Sequence, residues 1–388
     1  MRMCARCVLP GTYRNIRFDR EGVCNYCRTY DAFRDRLTDF EALGRLRAER
    51  IEKARAAGSE YDCLLGLSGG KDSSWLALQL ARRDGLKCLG FTFDNGFLTD
   101  YARHNIERVT GELGMDHFFH RVDWALHRAF YEQAVRSFGT PCPGCSYSSY
   151  ALSYKLAFER RIPLVIHGRS RSQMLREFLA GSPDSFLPFV KLNLAPYDRQ
   201  RNLEATLAAK KRLEYFISLA IPDTEMRQAF YDEFFPPVHQ LRDAELLPEF
   251  LGYFLYQPYD EAAMMRELED ELGWQRPSRD GVLTHADCGA HDAAGFLFRQ
   301  TFGYPMLSFE LSVLIREGQL SRAEALARLE REPGTHDVPD ESLDYMCGRL
   351  ELDRGELPAI GRRLRRRNRW RNRLLKARNW ITRPGLEL

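Results

Sequence analysis

The 388-residue sequence has no long apolar run, no marked excess of charge and no internal repeats. No stretch approaches the ~20 consecutive apolar residues that a membrane-spanning helix needs, and no apolar segment of the signal-peptide kind follows the first residues. Basic and acidic side chains nearly balance, at 57 against 54, which gives a net charge of +3. With 44% hydrophobic and 29% charged residues, we expect a globular, soluble and cytoplasmic protein.

Ten cysteines are present although nothing in the sequence directs export. In a reducing compartment, cysteines in such numbers bind metal more often than they form disulfides. Two Cys-x-x-Cys pairs lie near the N-terminus, separated by a short hairpin-like segment. Four thiolates at this spacing satisfy tetrahedral zinc and leave no coordination position open for catalysis. We therefore predict a structural zinc ribbon with the ligands Cys4, Cys7, Cys24 and Cys27.

The chain is organised around a glycine-rich turn that follows an apolar run at residues 63–67, which is typical of a buried parallel strand. The turn reads Ser-Gly-Gly-Lys-Asp-Ser and leads into a helical pattern. Amides at a helix start lack intrahelical partners, and the helix dipole favours an anion there. Glycines let the backbone approach a phosphate, and the serines and the lysine add donors and a positive charge. The predicted phosphate-binding residues are Ser68, Gly69, Gly70, Lys71, Asp72 and Ser73.

Residues 61–170 alternate between strand and helix patterns. Further strands are predicted at 87–93, 117–122 and 164–167, and helical patterns lie between them. Asp94 follows the second strand, where an acidic residue of a doubly wound sheet is well placed to contact ribose or adenine. This alternation predicts the α/β class, with a doubly wound and mostly parallel sheet.

The order Ser-Gly-Gly-Lys-Asp-Ser resembles the PP-loop of the ATP pyrophosphatases, which have the adenine nucleotide α-hydrolase-like (HUP) fold; the Walker A spacing is absent. In that family the loop holds the pyrophosphate of ATP while a substrate oxygen attacks the α-phosphorus. The resemblance implies ATP and Mg²⁺ as cofactors, with Lys71 stabilising the phosphates and Asp72 either positioning the metal or capping the helix. It also places Gly168 and Arg169 near the nucleotide, where Arg169 would bind phosphate or an acidic substrate.

A third Cys-x-x-Cys pair, Cys142 and Cys145, lies between predicted helices. Several PP-loop thiolases carry such a pair together with a later cysteine, and the three hold a [4Fe–4S] cluster with one iron left open. Cys288 is the expected third ligand here, and Cys347 is a second candidate. Polar residues flank Cys288, namely His285, Asp287 and His291. The ligand types alone leave open an iron–sulfur cluster, a zinc ion shared with a histidine, or a redox-active or merely structural pair.

The N-terminal cysteines, the loop and residues 302–324 together are similar to bacterial N-acetyl sugar amidotransferases. The C-terminal part of this likeness is a Phe-Gly-Tyr, an Ile-Arg, a basic turn and a helix opened by a Ser321/Glu324 capping box. The resemblance covers most of residues 1–330, although the aromatic middle segment matches poorly. It implies adenylation of an acetamido oxygen on an N-acetylated sugar or nucleotide-sugar in surface-glycan biosynthesis, followed by replacement of that oxygen with ammonia from a separate glutaminase subunit.

The cysteine set supports a second interpretation, in which the chain is an iron–sulfur-dependent sulfurtransferase. The acceptor would then be tRNA or a small molecule, and a sulfur carrier would be the partner. In this reading Cys142 and Cys145 act in catalysis beside Lys71 and Asp72.

Five regions are expected along the chain: a zinc ribbon at 1–32, a linking helix at 33–60, the PP-loop domain at 61–175, a helical substrate region at 176–330 and a basic helical extension at 331–388. The extension interleaves arginines with leucines and tryptophans, a pattern that fits RNA, an anionic surface or a merely solvated helix. We also expect the chain to form a homo-oligomer.

Overall fold

The computed structural model describes residues 2–178, 183–221, 223–277, 287–332 and 337–382. Five parallel strands form one sheet in the order β3-β2-β1-β4-β5. The strands are β1 (Cys63–Gly66), β2 (Cys88–Asp94), β3 (His117–Arg121), β4 (Leu164–His167) and β5 (Glu249–Leu251). The predicted α/β class and the predicted parallel sheet are confirmed.

Both faces of the sheet are covered, which explains why β1 reads as a continuous apolar run. Successive side chains of a strand point to opposite faces, and β1 follows this rule. Cys63 and Leu65 belong to one hydrophobic cluster, whereas Leu64 belongs to the other. All three side chains are 0% exposed, so β1 is the buried centre of the fold.

Helices of the described residues surround the sheet. They are α1 (Asn25–Thr38), α2 (Phe40–Ala56), α3 (Lys71–Leu78), α4 (Asp100–Leu113), α5 (Trp124–Phe138), α6 (Cys142–Glu159), α7 (Arg171–Phe178), α8 (Pro183–Asn193), α9 (Arg199–Ala220), α10 (Thr224–Phe234), α11 (Val238–Asp243), α12 (Glu261–Leu272), α13 (His291–Phe302), α14 (Ser308–Arg316), α15 (Arg322–Arg331), α16 (Asp340–Leu350) and α17 (Leu357–Thr382). None of these described helices combines the length and the apolar character that a bilayer crossing requires.

Two local features differ from the expectations. The linking segment forms two helices rather than one, because the Asp39 carboxylate accepts a hydrogen bond from the Ala42 amide at 3.0 Å and starts α2 afresh. Strand β5 lies in a stretch that was expected to be helical, and its three residues are too few to produce an alternating pattern. Its Glu249 forms a buried ion pair with Arg50 at 2.8 Å.

One buried arginine joins parts of the chain that are far apart in sequence. Arg171, at the start of α7, donates from Nε to Glu317 Oε1 at 2.6 Å, just beyond the end of α14. Its Nη1 donates to the Leu255 carbonyl at 2.7 Å, and its Nη2 donates to the Leu37 carbonyl at the end of α1. Since its side chain is 1% exposed and that of Glu317 is 6% exposed, the two charges depend on each other.

Replacement of Arg171 by methionine should therefore leave the Glu317 carboxylate buried without its cationic partner, with only the Tyr30 hydroxyl donating to it at 3.3 Å. We expect the free energy of unfolding to fall by about 3–5 kcal/mol, which denaturant titration followed by circular dichroism would measure. The control is Arg45→Met, which removes an exposed i,i+4 pair with Glu41 and should cost only about 0.3–0.5 kcal/mol. Equal losses in the two variants would contradict this role of Arg171.

Candidate functional site

The strand order reverses beside β1, because β1 pairs with β2 on one side and with β4 on the other. In an open parallel sheet this reversal creates a crevice at the carboxyl ends of the strands, and ligands bind there. The turn formed by residues 68–70 follows β1 directly and leads into α3, so it lies at this crevice.

Gly69 adopts a conformation that other residues rarely reach, with φ of +77°. A Cβ atom at this position would lie 2.3 Å from the Ala102 carbonyl oxygen, so the turn has no room for a side chain. The Gly69 carbonyl accepts hydrogen bonds from Trp274 Nε1 at 3.1 Å and from Asn105 Nδ2 at 3.4 Å. These contacts fix the position of the Gly69 carbonyl.

The end of β4 closes the other side of the turn. A Cβ atom on Gly168 would lie 2.6 Å from the Ser73 amide nitrogen, so the two backbones touch. Ser73 Oγ accepts a hydrogen bond from the Ser68 amide at 3.1 Å, and the two serine hydroxyls are 3.3 Å apart. Gly70 is the N-cap of α3 and provides no side-chain cap, so the first-turn amides remain available to an anion.

Lys71 and Asp72 form an ion-paired group at the start of α3. Lys71 Nζ lies 3.0 Å from Asp72 Oδ2 and 3.3 Å from Glu261 Oε1, and its side chain is 7% exposed. Asp72 Oδ1 accepts a hydrogen bond from the Tyr259 hydroxyl at 2.6 Å. Burial alone would lower the pKa of Lys71, but Asp72, Tyr259 and Glu261 outweigh it and raise the pKa well above its usual range. Asp72 therefore bonds to side chains and does not cap α3.

The other expected nucleotide contacts lie at the same edge of the sheet. Asp94 ends β2, accepts a hydrogen bond from the Gly96 amide at 3.3 Å and lies 3.5 Å from Arg103 Nη2. Arg169 follows Gly168, and its guanidinium lies 5.2 Å from the centre of the Tyr150 ring. The structure thus brings Asp94, Gly168 and Arg169 to the edge that carries the loop.

The third cysteine pair and Cys288 also reach this edge. Cys145 Sγ accepts a hydrogen bond at 3.1 Å from Nδ2 of Asn95, the residue that directly follows β2. Cys288 pairs with Leu98 in an isolated antiparallel bridge. Burial raises the pKa of the Cys145 thiol to about 12, and burial with the nearby Cys142 and Cys145 raises the pKa of Cys288. The segment after β2 thus contacts both Cys145 and Cys288, whereas the second candidate, Cys347, is a buried residue of α16.

Asp287, the sequence neighbour of Cys288, is a further candidate residue that the sequence patterns do not assign to the nucleotide site. Its Oδ2 atom would lie 4.0 Å from a Cβ placed on Gly70, which brings a carboxylate beside the loop. The Thr99 amide holds this position by donating to the Asp287 carbonyl at 3.2 Å. The flanking polar residues gave a weak signal for this role, and of these His285 lies outside the described residues.

The N-terminal cysteines form a separate, compact group. Within the described part of the chain, they form the only group of three or more His, Cys, Asp or Glu residues whose possible metal-binding atoms all lie within 4.8 Å of one another. Amides of Cys7 and Cys24 donate to Cys4 Sγ at 3.4 and 3.2 Å, and hydrogen bonds from Cys24 and Cys27 lower the pKa of Cys7 to about 6. All four side chains are 0% exposed, so this donor set fits a tetrahedral thiophilic metal.

A buried arginine from the C-terminal part faces this sulfur group. Arg316, the last residue of α14, donates from Nε to Cys27 Sγ at 3.3 Å and from Nη2 to Cys7 Sγ at 3.5 Å. Burial alone would lower the pKa of Arg316, but Cys7 and Cys27 outweigh it and raise the pKa. Arg322 adds bonds to the carbonyls of Cys7 and Cys4, both at 3.4 Å. A metal bound by four thiolates carries net negative charge, and Arg316 offsets part of it.

The fold and the loop define a doubly wound α/β protein with a backbone cradle suited to phosphate. Residues 293–382 match the protein family described as "LPS biosynthesis protein WbpG-like, C-terminal domain". This segment begins in α13 and includes Arg316 on α14.

The chain is also similar to an uncharacterized protein of Methanocaldococcus jannaschii, MJ1599, with 26% identity over 144 residues, which are 37% of this chain and 50% of that protein. The alignment thus spans about half the length of this relative.

Two solved structures show weaker likenesses. The U34-tRNA thiolase NcsA from Methanococcus maripaludis with its [4Fe–4S] cluster is 12% identical, with 94% of this chain and 97% of that chain covered and a TM-score of 0.33. The NAD⁺ synthetase from Burkholderia pseudomallei is 16% identical, with 65% and 94% covered and a TM-score of 0.29. Neither score is high enough to establish a shared fold.

The contact between Arg316 and sulfur predicts faster metal loss when the guanidinium is removed. We expect Arg316→Gln to weaken metal binding by about 10- to 100-fold, as residues that support metal ligands commonly do. Release of the metal to a chromophoric chelator would measure the change. Arg322→Gln is the control, because Arg322 bonds to carbonyls of the same segment and not to sulfur. Equal release rates for Arg316→Gln and the unaltered chain would contradict the prediction.

Proposed function

We propose that this chain is a PP-loop enzyme that uses ATP and Mg²⁺ to adenylate a carbonyl-type oxygen and then replaces that oxygen with nitrogen. The acceptor in this proposal is an N-acetylated sugar or nucleotide-sugar. It would be modified in the cytoplasm and then used for a surface glycan. One observation carries the proposal, namely the cradle formed by Ser68, Gly69, Gly70 and Ser73 at the crevice beside β1. The match of residues 293–382 to a lipopolysaccharide-biosynthesis family supports a glycan acceptor.

In this proposal the β- and γ-phosphates of ATP lie on the first-turn amides of α3 and on the hydroxyls of Ser68 and Ser73. Asp94 and Arg169 stand at the neighbouring strand ends, where they would contact the nucleoside and either a phosphate or an acidic group of the acceptor. Mg²⁺ prefers oxygen ligands, and the carboxylate of Asp287 lies beside Gly70. Asp287 is therefore the residue that we assign to the metal, in place of Asp72.

The proposed reaction has two balanced steps. The acetamido oxygen of the acceptor attacks the α-phosphorus of ATP, a new O–P bond forms, and the bond to pyrophosphate breaks. Ammonia then adds to the activated carbon, AMP leaves with the original oxygen, and one proton is lost to give an acetamidino group. The amides of the cradle would speed the first step by holding the β- and γ-phosphates in place and by stabilising the negative charge that pyrophosphate gains as it leaves.

We propose zinc as the metal of the N-terminal ribbon and a structural role for it. Four thiolates leave no open position, which suits an ion that holds the N-terminus and not one that activates a substrate. For the nitrogen source we propose a separate glutaminase subunit, which would deliver ammonia to the crevice. A homo-oligomer of the chain is part of the same proposal.

A specific observation supports the alternative of sulfur transfer. Cys145 and Cys288 both contact the segment that follows β2, at the edge of the sheet that also carries the loop, and Cys142 lies one helical turn from Cys145. They would hold a [4Fe–4S] cluster, which would supply an open iron for sulfide. One observation is against this reading. Among the described residues, the ligand atoms of the ribbon cysteines all lie within 4.8 Å of one another, and those of Cys142, Cys145 and Cys288 do not.

The cradle predicts that a methyl group on Gly168 will impair ATP use. Gly168→Ala would press its Cβ onto the Ser73 amide and displace a phosphate-binding group, so we expect at least a tenfold loss of pyrophosphate release from ATP in the presence of an N-acetylated nucleotide-sugar and ammonium. Gly44→Ala is the matched control, since a Cβ on Gly44 meets no atom within 4 Å. Full activity in Gly168→Ala would remove the loop from the reaction.

The metal content separates the nitrogen and sulfur readings. For nitrogen transfer we expect colourless protein after anaerobic purification, with zinc only and the same metal content in Cys142→Ala. A brown protein that loses iron and sulfide in Cys142→Ala and Cys288→Ala, but keeps both in Cys347→Ala, would instead establish the sulfurtransferase reading. Visible absorbance with iron, sulfide and zinc analysis provides the measurement.

A further inference from the structure

Helix α17 carries an excess of positive charge that its packing does not explain. Residues 357–382 contain ten basic residues, nine arginines and one lysine, and no acidic residue. The inner side of the helix is held by Leu357, Ile360 and Leu364, which are 6%, 6% and 1% exposed. The arginines fall into two groups: some bond to neighbouring helices, and others do not.

Three arginines bond to the carboxyl ends of neighbouring helices. Arg365 donates to the carbonyls of Gln300 and Arg299 at the end of α13, at 2.7 and 3.2 Å. Arg363 and Arg367 donate to the last carbonyls of α5, at 2.8 and 2.5 Å. Cations are favoured at helix carboxyl ends, where carbonyls lack partners, so these three have a structural role.

Other arginines of the described part of α17 face solvent, among them Arg371 and a row of three. Arg362, Arg366 and Arg369 are exposed and recur at intervals of four and three, which places them along one side of the helix. None of the three has a hydrogen bond or ion pair with another described residue. Trp370 lies next to this row and is 65% exposed.

The sequence continues an apolar row from Trp370. Leu374, Ala377 and Ile381 follow it at intervals of four, three and four. Arg373 precedes Leu374, and Lys376 and Arg378 flank Ala377. This spacing is that of an amphipathic helix with basic flanks, the pattern of helices that lie in the plane of a membrane surface.

We infer that the outer face of α17 docks the protein on an anionic lipid surface, with Trp370 at the level of the headgroups and Arg362, Arg366 and Arg369 against lipid phosphates. Tryptophan favours this interface, and near-surface arginines are attracted to anionic lipids. The inference does not depend on the reaction proposed above, since the face is formed by α17 alone.

A nucleic acid offers the same phosphate charge, but the apolar row favours lipid. Proteins that bind single-stranded nucleic acid place several aromatic rings along the strand for base stacking. Here Trp380 is the one further aromatic residue of the stretch after Trp370, and Leu374, Ala377 and Ile381 are aliphatic. Aliphatic side chains suit acyl chains and do not stack on bases. RNA binding is therefore the competing outcome of the test.

The test uses the full chain in sedimentation with vesicles of phosphatidylcholine alone, with vesicles that also contain phosphatidylglycerol, and with labelled single-stranded RNA. We expect binding to the mixed vesicles, little to phosphatidylcholine alone, and a decline with added salt. Arg366→Gln with Arg369→Gln should weaken vesicle binding by roughly 25-fold, because each near-surface arginine contributes a factor of about 5. Trp370→Ser should weaken it several-fold while thermal stability stays unchanged.

The matched control is Lys211→Gln with Arg212→Gln, which removes the same charge from exposed positions on α9. It should bind vesicles as the unaltered chain does. Equal weakening in this control would show that net charge and not α17 is responsible, and would overturn the inference. RNA binding without vesicle binding would overturn it as well, as would vesicle binding that Arg366→Gln, Arg369→Gln and Trp370→Ser leave unchanged.

Discussion

The reversal of strand order beside β1 is the constraint on which the rest of this structure depends. Since β2 and β4 pair with opposite sides of β1, the segments that leave the carboxyl ends of the sheet diverge around one crevice. The loop after β1, Asp94 at the end of β2 and Gly168 after β4 then lie at the same edge because the sheet places them there. The Leu98–Cys288 bridge brings a distant segment to the same place, so the crevice gathers carboxylates, thiols and free amides together.

Buried cations join parts of the chain that lie far apart in the sequence. Arg316 bonds to the sulfur atoms of the ribbon, and Arg171 joins α7 to the end of α14. A hydrophobic contact would tolerate small shifts between these parts, whereas a buried charge fixes its partner in direction and distance. The segment that matches the lipopolysaccharide-biosynthesis family is thus part of the environment of the metal ligands.

Local patterns in the sequence predicted much of this fold, and contacts between distant residues account for what they missed. The apolar run, the glycines and the helix after them identified the loop, because each signal lies within a few residues of the next. The proximity of Asp287 to Gly70 depends on a pairing across almost 190 positions that no local pattern contains. The ion pair between Lys71 and Glu261, and the three carbonyl-bound arginines of α17, were hidden for the same reason.

The arginines that seat α17 give the far end of the chain an influence on the crevice. Arg363 and Arg367 complete the carboxyl end of α5, and α5 also carries Tyr131, a buried ring whose neighbours include Cys145 and Cys288. A chain shortened before α17 would leave that helix end bare and would free α5 to fray toward the thiols. Shortened forms of the protein would therefore confuse a lost membrane contact with a disturbed interior, and only exposed point substitutions can separate the two.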